Sequence, residues 1–423
     1  MTAAEAAVGS IGGALITALR RFPGREALVC GPERLTYAQV ADTVARLRRA
    51  MEEAGLRPGD TVAQITRNRP AQWLVTAACY LAGFRSACLP LQGLPAAVLR
   101  DRLAAAAPAL VVVDASRAAE IAGWGALGEE VVWVSDGELE GWRELGRMAG
   151  EQPPCGLGDP APPSAVVRLG YTSGTTTGTA KAVLLSSGAL CSVALMNLAQ
   201  ADWPAAPRVL CAEPVAGGFG SMVVPTLVRG GTFVMLETFT ADGFLAAAAA
   251  HRPNVLLMMP PALRSVLAHP GADRVDWSTV DLMIYSGATL APAEIDRAHA
   301  LFGQVLCGIF GQVECPKTIA LLAPHDHVSG VAGRGSSLGL PYAGMTVQIQ
   351  DRSGAPCPAG EAGELCVKGP AVMDGYQGRH DADQPFRDGW LRTGDVCRMD
   401  EHGYLHYLNR LENVLDGQDG GTA

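Results

Sequence analysis

Segments of helical periodicity alternate with short apolar runs along most of this chain, and this alternation constrains the fold more than any other feature. Between Leu35 and Gly55, apolar side chains recur every three or four residues and predict a helix. A second helix with a short strand is predicted over residues 68–91, and an apolar strand begins at Leu110. Helices that alternate with short apolar strands predict an α/β fold with mainly parallel sheets flanked by helices.

The alternation continues further along the chain and then changes character. The later strand candidates, with helices between them, are residues 166–170, 209–211, 232–235, 255–259 and 282–286. After Gly339 the sequence becomes short alternating segments separated by glycine-rich turns. This change predicts a small antiparallel β subdomain.

Length and composition predict how these elements are grouped. A chain of 423 residues is too long for one ordinary compact domain, and its 48% hydrophobic and 18% charged residues exclude a disordered chain. We expect a first αβ subdomain over residues 1–163, a second over 164–338, a small β subdomain over 339–408 and a terminal segment over 409–423. Residues 137–163 end in a proline-rich run and are predicted to form an exposed linker.

Charge and cysteine usage exclude several classes of protein. The 33 basic and 42 acidic residues give a net charge of −9, which disfavours binding to nucleic acid or to an anionic membrane surface. The 11 cysteines are scattered without a CxxC pair or a zinc-like cluster, so we expect reduced thiols. No export signal and no membrane span is predicted, and the expected compartment is the cytoplasm.

The strongest local signal lies between Arg168 and Ser187, where an apolar strand is followed by a Gly/Ser/Thr-rich loop and a single lysine (RLGYTSGTTTGTAKAVLLSS). Glycines let backbone N–H groups approach an anion, hydroxyls add donors, and Lys181 adds a positive charge, so the composition suits a polyphosphate. It is not a Walker A loop, because the glycines at 174 and 178 are too close together. A flexible Ser/Gly/Thr connector is the alternative interpretation.

This loop resembles the phosphate-binding motif of the adenylate-forming superfamily, which includes acyl-CoA synthetases, luciferases and peptide-synthetase adenylation domains. Further stretches resemble motifs of that family in the family's order: LTYAQVADTVARL with GLRPGDTVA, SGATL (286–290), IFGQVE (309–314), GELCVKGPAVMDGY (363–376), WLRTGD (390–395) and NRLENVL (409–415). The resemblance implies an acyl-CoA synthetase-like N-terminal domain.

The resemblance also implies roles for individual residues. The implied catalytic residues are Lys181, Glu314 and Arg410, with Glu314 as the Mg²⁺ ligand. Asp395 would accept hydrogen bonds from the ribose, and Phe310 would stack on adenine. The implied nucleotide-binding residues are Thr172, Ser173, Gly174, Thr175, Thr176, Thr177, Gly178, Gly287, Ala288, Phe310, Gly311, Gln312, Val313, Asp395 and Arg410. Taken alone, Asp395 would suit a turn, Glu314 a solvated surface and Phe310 the core.

The implied reaction begins with attack of a substrate carboxylate on the α-phosphorus of MgATP, which gives an acyl-adenylate and pyrophosphate. The thiol of CoA, or of the phosphopantetheine of an acyl carrier protein, then displaces AMP. Such an enzyme must neutralise phosphate charge and hold two anions in line, which explains a lysine, a metal ion and many neutral donors.

Several positions depart from the family pattern, mostly near the phosphates. The loop is one residue longer than usual, Ala180 stands where proline is common, and Ala182 where glycine is common. Val313 replaces the usual threonine, and the lost hydroxyl is worth roughly 1–3 kcal/mol if its partner stays buried. Because only residues 414–423 follow Asn413 at the implied hinge, we expect the small lid domain to be absent and turnover to be poor.

The acyl pocket is expected to lie beside the nucleotide. Its predicted lining residues are Ala216, Gly217, Gly218, Phe219, Met222, Ser286 and Gly308. Small residues at 216–218 leave volume, and the segment 214–222 holds no aspartate to pair with an α-ammonium group. We therefore expect an aryl, alicyclic or fatty carboxylic acid. The alternative is that the glycines only serve a tight turn.

Three functional hypotheses follow from these residues. The first is an ATP-dependent acid–thiol ligase whose lid domain is missing. The second is a non-adenylating relative that binds a preformed acyl-adenylate, which the altered phosphate contacts permit. The third is a noncatalytic nucleotide-binding scaffold.

Overall fold

The computed structural model describes residues 9–90, 94–122, 131–172, 181–328, 333–378 and 385–415. In chain order, the strands of these residues are β1 (Glu26–Cys30), β2 (Glu33–Thr36), β3 (Thr61–Ile65), β4 (Arg85–Cys88), β5 (Pro108–Asp114), β6 (Val132–Asp136), β7 (Arg143–Glu144), β8 (Val166–Tyr171), β9 (Ala182–Ser186), β10 (Arg208–Cys211) and β11 (Thr232–Met235). They continue with β12 (Val255–Met258), β13 (Leu282–Tyr285), β14 (Leu306–Gln312), β15 (Cys315–Leu322), β16 (Leu340–Pro341), β17 (Thr346–Gln350), β18 (Ala362–Lys368), β19 (Gly375–Tyr376), β20 (Phe386–Arg387), β21 (Trp390–Met399) and β22 (Leu405–Arg410).

The helices lie mostly between strands, as the alternating pattern predicts. In chain order they are α1 (Ile11–Arg21), α2 (Tyr37–Glu53), α3 (Pro70–Ala82), α4 (Ala96–Ala106), α5 (Ala118–Ala122), α6 (Leu145–Gly150), α7 (Ser187–Gln200), α8 (Val223–Val228), α9 (Ala241–His251), α10 (Pro260–Leu267), α11 (Pro292–Phe302), α12 (Pro324–His327) and α13 (Leu411–Leu415).

The strands of the described residues form three sheets. The first has eight strands in the order β19-β9-β8-β4-β3-β5-β6-β7, and the second has nine in the order β16-β15-β14-β13-β12-β10-β11-β1-β2. Both are parallel through their centres and antiparallel at one edge or both. The third is antiparallel, in the order β17-β18-β21-β20 with β22 paired to β21. The predicted α/β fold with a small antiparallel sheet is confirmed.

The two large sheets exchange strands across residue 163. β1 and β2 precede this residue but pair in the second sheet, whereas β8 and β9 follow it and pair in the first. β19, from the C-terminal part of the chain, pairs with β9. The sheets therefore do not follow consecutive segments of the chain, and the subdomain limits at residues 163, 338 and 408 stay predictions.

Helix α2 illustrates how local sequence positions these elements. Thr36 and Gln39 form a reciprocal capping box at its start, with bonds of 3.2 and 2.8 Å that satisfy backbone donors at the helix end. Its apolar stripe, which includes Val44 and Leu47, is buried against the main core, whereas arginines on the other face pair with acidic residues one turn away.

The prediction of an exposed linker over residues 137–163 is wrong in its first half. Residues 143–150 form β7 and helix α6, and β7 extends the first sheet. Leu145, Met148 and Ala149 are buried in the main core. The removal of these side chains from water stabilises the helix despite its weak sequence periodicity, because burial, and not local propensity, supplies most helical stability in proteins.

All 11 cysteines are free thiols, and most are buried. Burial raises the pKa of Cys211, Cys307 and Cys315 to about 12, so these thiols stay protonated at neutral pH. The expectation of reduced thiols and the expected cytoplasmic location stay predictions. Within the described residues, no helix has the length and apolar character needed to cross a membrane.

Candidate functional site

Four neighbouring parallel strands of the second sheet end at one edge. β10, β12 and β13 end at Cys211, Met258 and Tyr285, and Tyr285 is the register partner of Met258 on one side and of Gly308 in β14 on the other. In open α/β sheets, the crevice beyond the carboxyl ends of parallel strands is the usual ligand site. The predicted acyl and nucleotide segments that follow these strands are therefore brought to one place.

The ends of the predicted phosphate loop are held together by two hydrogen bonds. The Thr172 N–H donates to the Lys181 carbonyl at 3.2 Å, and the Lys181 N–H donates to Thr172 Oγ1 at 3.0 Å. Ser173, Gly174, Thr175, Thr176, Thr177 and Gly178 lie outside the described residues, so their contacts with phosphate stay a prediction. What the structure places is the lysine, whose Nζ lies 5.0 Å from the centre of the Tyr376 ring.

Tyr376 connects this lysine to the predicted metal ligand. Its hydroxyl donates to Glu314 Oε1 at 2.8 Å, while its ring faces the Lys181 ammonium group. The backbone next to Tyr376 is also tied down, since the Met373 N–H donates to the Glu314 carbonyl at 2.8 Å. Lys181 and Glu314 thus interact with the same aromatic side chain, the first with its ring and the second with its hydroxyl.

Asp395 is the most enclosed acidic group of the site and is only 4% exposed. Its Oδ1 accepts a hydrogen bond from Arg410 at 2.7 Å, and its Oδ2 accepts one from Gln312 Nε2 at 2.5 Å. Gln312 and Arg410 also donate to the Thr393 carbonyl, at 3.0 and 3.2 Å. Burial raises the pKa of Asp395, although the Arg410 and Gln312 hydrogen bonds act in the opposite direction.

The two predicted acidic residues share one neighbourhood. The charge of Glu314 is among the causes that raise the pKa of Asp395, and Gln312, which contacts Asp395, is two residues from Glu314. Lys181, Glu314 and Asp395 are therefore brought together from three distant parts of the chain. Among the described residues no group of three or more His, Cys, Asp or Glu side chains is arranged to hold a metal ion. A metal ion at Glu314 would thus need oxygens from a bound ligand or water.

Val313 lies with Glu314 at the turn between β14 and β15, and its side chain fills the space above Gly170 of β8. A β-carbon at position 170 would lie 2.4 Å from Val313 Cγ1. The strand that leads into the phosphate loop and the turn that carries Glu314 are therefore in direct contact. At this point of contact Val313 presents only methyl groups.

The other predicted nucleotide residues lie along the same edge. Phe310 is half-buried opposite Ala320 and packs against the main core. A side chain at Gly311 would collide with the backbone of Lys317, which lies 2.3 Å from the β-carbon position. Gly287 and Ala288 are exposed after β13. Stacking of Phe310 on adenine and contacts of Gly287 and Ala288 with the nucleotide stay predictions.

The segment predicted to line the acyl pocket is held by β8 of the other large sheet. The Arg168 guanidinium donates to the Ala216 carbonyl at 3.0 Å and to the Gly217 carbonyl at 3.3 Å. The alternative, that the glycines serve a tight turn, fits Gly217, whose N–H donates to the Pro214 carbonyl at 3.0 Å.

The buried predicted pocket residues are Phe219, Met222, Ser286 and Gly308, and Met222 has no exposed surface. At Gly308, a β-carbon would lie 2.7 Å from the Tyr285 hydroxyl. That part of the predicted pocket is therefore closely packed, and the lining roles of these residues stay predictions.

Two side chains of this site were not predicted from the sequence. Tyr376 ends a segment that was singled out for its resemblance, and no role was given to its ring or hydroxyl. Lys317 lies in the otherwise apolar run of β15, and its side chain occupies the space beside Gly218 that we expected to be open, with Cε 3.2 Å from the β-carbon position. A lone lysine within an apolar strand was the signal available for it.

Comparison with known proteins shows which family and which proteins this chain is similar to. The family model described as AMP-binding enzyme matches residues 15–377. A feruloyl-CoA synthase from an Amycolatopsis species is 32% identical over 402 residues, which cover 94% of this chain and 77% of that protein. A medium/long-chain-fatty-acid–CoA ligase from Mycobacterium tuberculosis is 29% identical over 414 residues, covering 95% of this chain and 71% of that protein. The solved structure of the amide bond synthetase McbA from Marinactinospora thermotolerans matches with a TM-score of 0.83 at 28% identity, over 95% of this chain and 79% of that one.

Proposed function

Because the chain belongs to the AMP-binding enzyme family, we propose that it activates a carboxylic acid with ATP as an acyl-adenylate and transfers the acyl group to a thiol. Two of the similar proteins are named as CoA ligases or synthases, which are acid–thiol ligases. The observation that supports the proposal most is the meeting of Lys181, Glu314 and Asp395 around Tyr376 and Gln312. CoA is the proposed acceptor, and the phosphopantetheine of a carrier protein is the alternative thiol.

In this proposal, Asp395 holds the ribose. An ionised carboxylate offers acceptors to a sugar diol, and its two oxygens are already oriented by Arg410 and Gln312. Lys181 stands at the end of the phosphate loop, where its ammonium group would neutralise phosphate charge as the carboxylate attacks. Such fixed donors and charges promote in-line transfer mainly by position and electrostatics.

The residues around Glu314 fit a magnesium ion carried by ATP. The bound ion would neutralise phosphate charge, and carboxylate oxygen is its preferred protein ligand. Tyr376 donates to Oε1 of Glu314, and within the described residues the other carboxylate oxygen accepts no hydrogen bond. Tyr376 therefore fixes the direction of the carboxylate and leaves Oε2 for the ion.

The proposed acid is an aryl, alicyclic or fatty carboxylic acid. The segment 214–222 follows β10 and is predominantly apolar, with no acidic side chain to pair with an α-ammonium group. Arg168 binds this segment through its carbonyl oxygens and so holds the proposed pocket wall against β8. The lack of an acidic side chain in this segment also disfavours an amino-acid substrate.

A second candidate function is favoured by Val313. Its methyl groups pack on Gly170, at a turn where the family pattern has a hydroxyl donor. A site that lacks this donor would still bind an acyl-adenylate formed elsewhere but would stabilise the adenylation transition state less well. The second candidate is therefore a non-adenylating relative that accepts a preformed acyl-adenylate.

Two measurements on the same protein separate these functions. Pyrophosphate exchange into ATP, with a panel of aryl, alicyclic and fatty acids, reports adenylation. Calorimetric binding of AMP and of acylsulfamoyl adenosines reports the site itself. Acid-dependent exchange supports the first proposal, and binding without exchange supports the second. If neither exchange nor binding is observed, both proposals fail and a noncatalytic scaffold remains.

A further inference from the structure

Lys317 is a buried cation whose charge is not paired. It lies in β15, is 9% exposed, and within the described part of the chain its ammonium group makes no hydrogen bond and no ion pair. The ammonium group makes a cation–π contact with the Phe219 ring, whose centre lies 3.9 Å from Nζ. A buried ammonium group without an anion is costly, and an aromatic face compensates for only part of the lost hydration.

The position of Lys317 relates it to the acyl side of the site. The β-carbon position of Gly218 lies 3.3 Å from its Nζ, so the ammonium group lies against the wall formed by residues 216–219. Glu314, three residues earlier, instead contacts Tyr376 on the side of the phosphate loop. The two side chains thus lie in different parts of the crevice, with Lys317 against the segment proposed to line the acyl pocket.

The backbone at Lys317 supports a functional placement. Its φ of 60° lies in the left-handed region, which is unfavourable for a side chain other than glycine. The same residue packs its backbone against Gly311 of the neighbouring strand. Strained, tightly packed residues of this kind are concentrated at ligand sites.

The nearby acidic groups attract Lys317 without pairing with it. Burial lowers the pKa of Lys317 to about 8, while Cys211 and Glu213 act in the opposite direction. The Glu213 carboxylate is bound elsewhere, since its Oε1 accepts the Met259 N–H at 3.0 Å. Among the residues that the structure describes, no anion contacts Nζ, and such a contact is what would stabilise the ammonium form.

We propose that Lys317 forms an anion subsite in the acyl pocket and selects acids that carry a second carboxylate, remote from the carboxyl group that is activated. The inference rests on the proposed function, since it assigns the unreacted end of the same substrate. A methyl-ended acid would leave the ammonium group buried and unpaired. A hydroxyl end would satisfy one donor but would not neutralise the charge.

The test compares acylsulfamoyl adenosines that differ only at the remote end, which is a methyl, a hydroxyl or a carboxylate group, in a linear and an aryl series. Calorimetry with the unaltered protein should show the carboxylate-ended compound binding about tenfold more tightly than the methyl-ended one in at least one series, as expected for a charge-assisted hydrogen bond. Equal affinities, or a preference for the hydroxyl end, would overturn the subsite.

The variants Lys317→Met and Lys368→Met form a matched pair. Lys368 also lies over an aromatic ring, with Nζ 4.5 Å from the centre of Trp390, but belongs to the small antiparallel sheet. Lys317→Met should abolish the preference for the carboxylate end and leave AMP affinity unchanged, whereas Lys368→Met should retain both. A preference that persists in Lys317→Met would assign the anion to another residue.

Binding of AMP distinguishes failure of this inference from failure of the proposed function. If AMP binds and the three compounds bind equally, only the subsite is overturned. If neither AMP nor any analogue binds, the acyl-adenylate site itself is refuted, and the subsite with it. If Lys317→Met does not fold, the outcome is decided by the unaltered protein and by Lys317→Arg. The arginine variant keeps the positive charge and should keep the preference for the carboxylate end.

Discussion

At the scale of single residues, the site is governed by how burial and charge act on the same side chain. Asp395 is almost fully enclosed, which raises its pKa, while Arg410 at 2.7 Å favours its ionised form. The arginine also orients the carboxylate, because Asp395 and Arg410 are register partners on neighbouring antiparallel strands. A carboxylate held in this way is organised before the ligand arrives, so less ordering is required on binding.

Replacement of Asp395 by asparagine should weaken AMP binding by about tenfold or more, because hydrogen bonds that involve a charged partner contribute roughly 1.5–3 kcal/mol. Arg410 would also lose its anionic partner. Calorimetric titration with AMP measures the effect. The exposed Asp388→Asn is the matched control and should bind AMP normally. An unchanged affinity in Asp395→Asn would remove Asp395 from the ribose site.

Val313→Thr tests whether the missing hydroxyl limits adenylation. The two side chains have similar size, so the packing on Gly170 is largely retained while one donor is added. We expect pyrophosphate exchange to rise by about tenfold, which corresponds to one modest hydrogen bond made in the transition state. The control is Val347→Thr, which changes a half-buried valine in the small antiparallel sheet and should leave the exchange rate unchanged. No increase in Val313→Thr would show that another departure limits the reaction.

At the scale of elements, the short helix α12 makes hydrogen bonds both to the end of β13 and to Tyr404, which lies beside the small antiparallel sheet. The hydroxyl of Tyr285, at the end of β13, and His327 Nε2 lie 3.0 Å apart, and His327 Nδ1 lies 2.9 Å from the Ala323 carbonyl oxygen. Asp326 of the same helix accepts a hydrogen bond from the Tyr404 hydroxyl at 2.5 Å. The helix thereby connects the edge that carries the site to a residue beside the small sheet.

Acid should weaken this connection. Burial lowers the pKa of His327 to about 4 from its ordinary 6.5, so below pH 6.5 the unfolded chain takes up a proton that the folded chain does not. The free energy of unfolding should therefore fall between pH 6.5 and pH 4, by up to about 3 kcal/mol from this group.

Urea unfolding as a function of pH measures this dependence in the unaltered protein and in two histidine variants. His327→Gln should show a smaller decrease in stability between pH 6.5 and pH 4, because it cannot take up the proton. The neighbouring His325, whose side chain is 83% exposed, provides the control. The stability of His325→Gln should fall with pH as much as that of the unaltered protein. Equal pH dependence in all three proteins would exclude His327 as the cause.

At the scale of the whole molecule, the site exists because the two large sheets meet. β8 of the first sheet contacts the β14–β15 turn of the second through Gly170 and Val313, and Arg168 of the same strand binds the 216–217 backbone. The third sheet contributes Asp395 and Arg410. The proposed phosphate, ribose and acyl parts of the site therefore come from different sheets, and their geometry depends on how these sheets pack.

Gly170→Ala should disturb this contact, since its new methyl group would overlap Val313 Cγ1. Overpacking of this kind costs about 1–3 kcal/mol. In a Val313→Ala background the same substitution should cost under about 0.5 kcal/mol, because the overlapping methyl group is gone. Urea unfolding of the unaltered protein, the two single variants and the double variant measures how strongly the two substitutions are coupled in the free energy of unfolding. Gly24→Ala, where no atom lies within 4 Å of the new β-carbon, controls for glycine replacement. A cost that is equal in both backgrounds would contradict the contact.

The sequence by itself determined the class of fold and predicted the side chains of the candidate site. The apolar runs that predict β8 and β10 to β13 coincide with observed strands, because burial on both faces leaves a continuous apolar signature. The predicted lysine, glutamate and aspartate stand in short local motifs. Local composition is sufficient to predict a segment where the role of that segment depends on its own side chains.

Only the tertiary structure decided which of these parts meet. Strand exchange between the large sheets, helix α6 in the expected linker, and the bridge from Tyr376 to Glu314 across 62 positions have no local signature. The lysine at position 317 is visible in the sequence, but its burial against Gly218 and Phe219 is decided only by the packing. Such contacts arise from burial of surfaces that are distant in the chain, so periodicity and motif spacing cannot specify them.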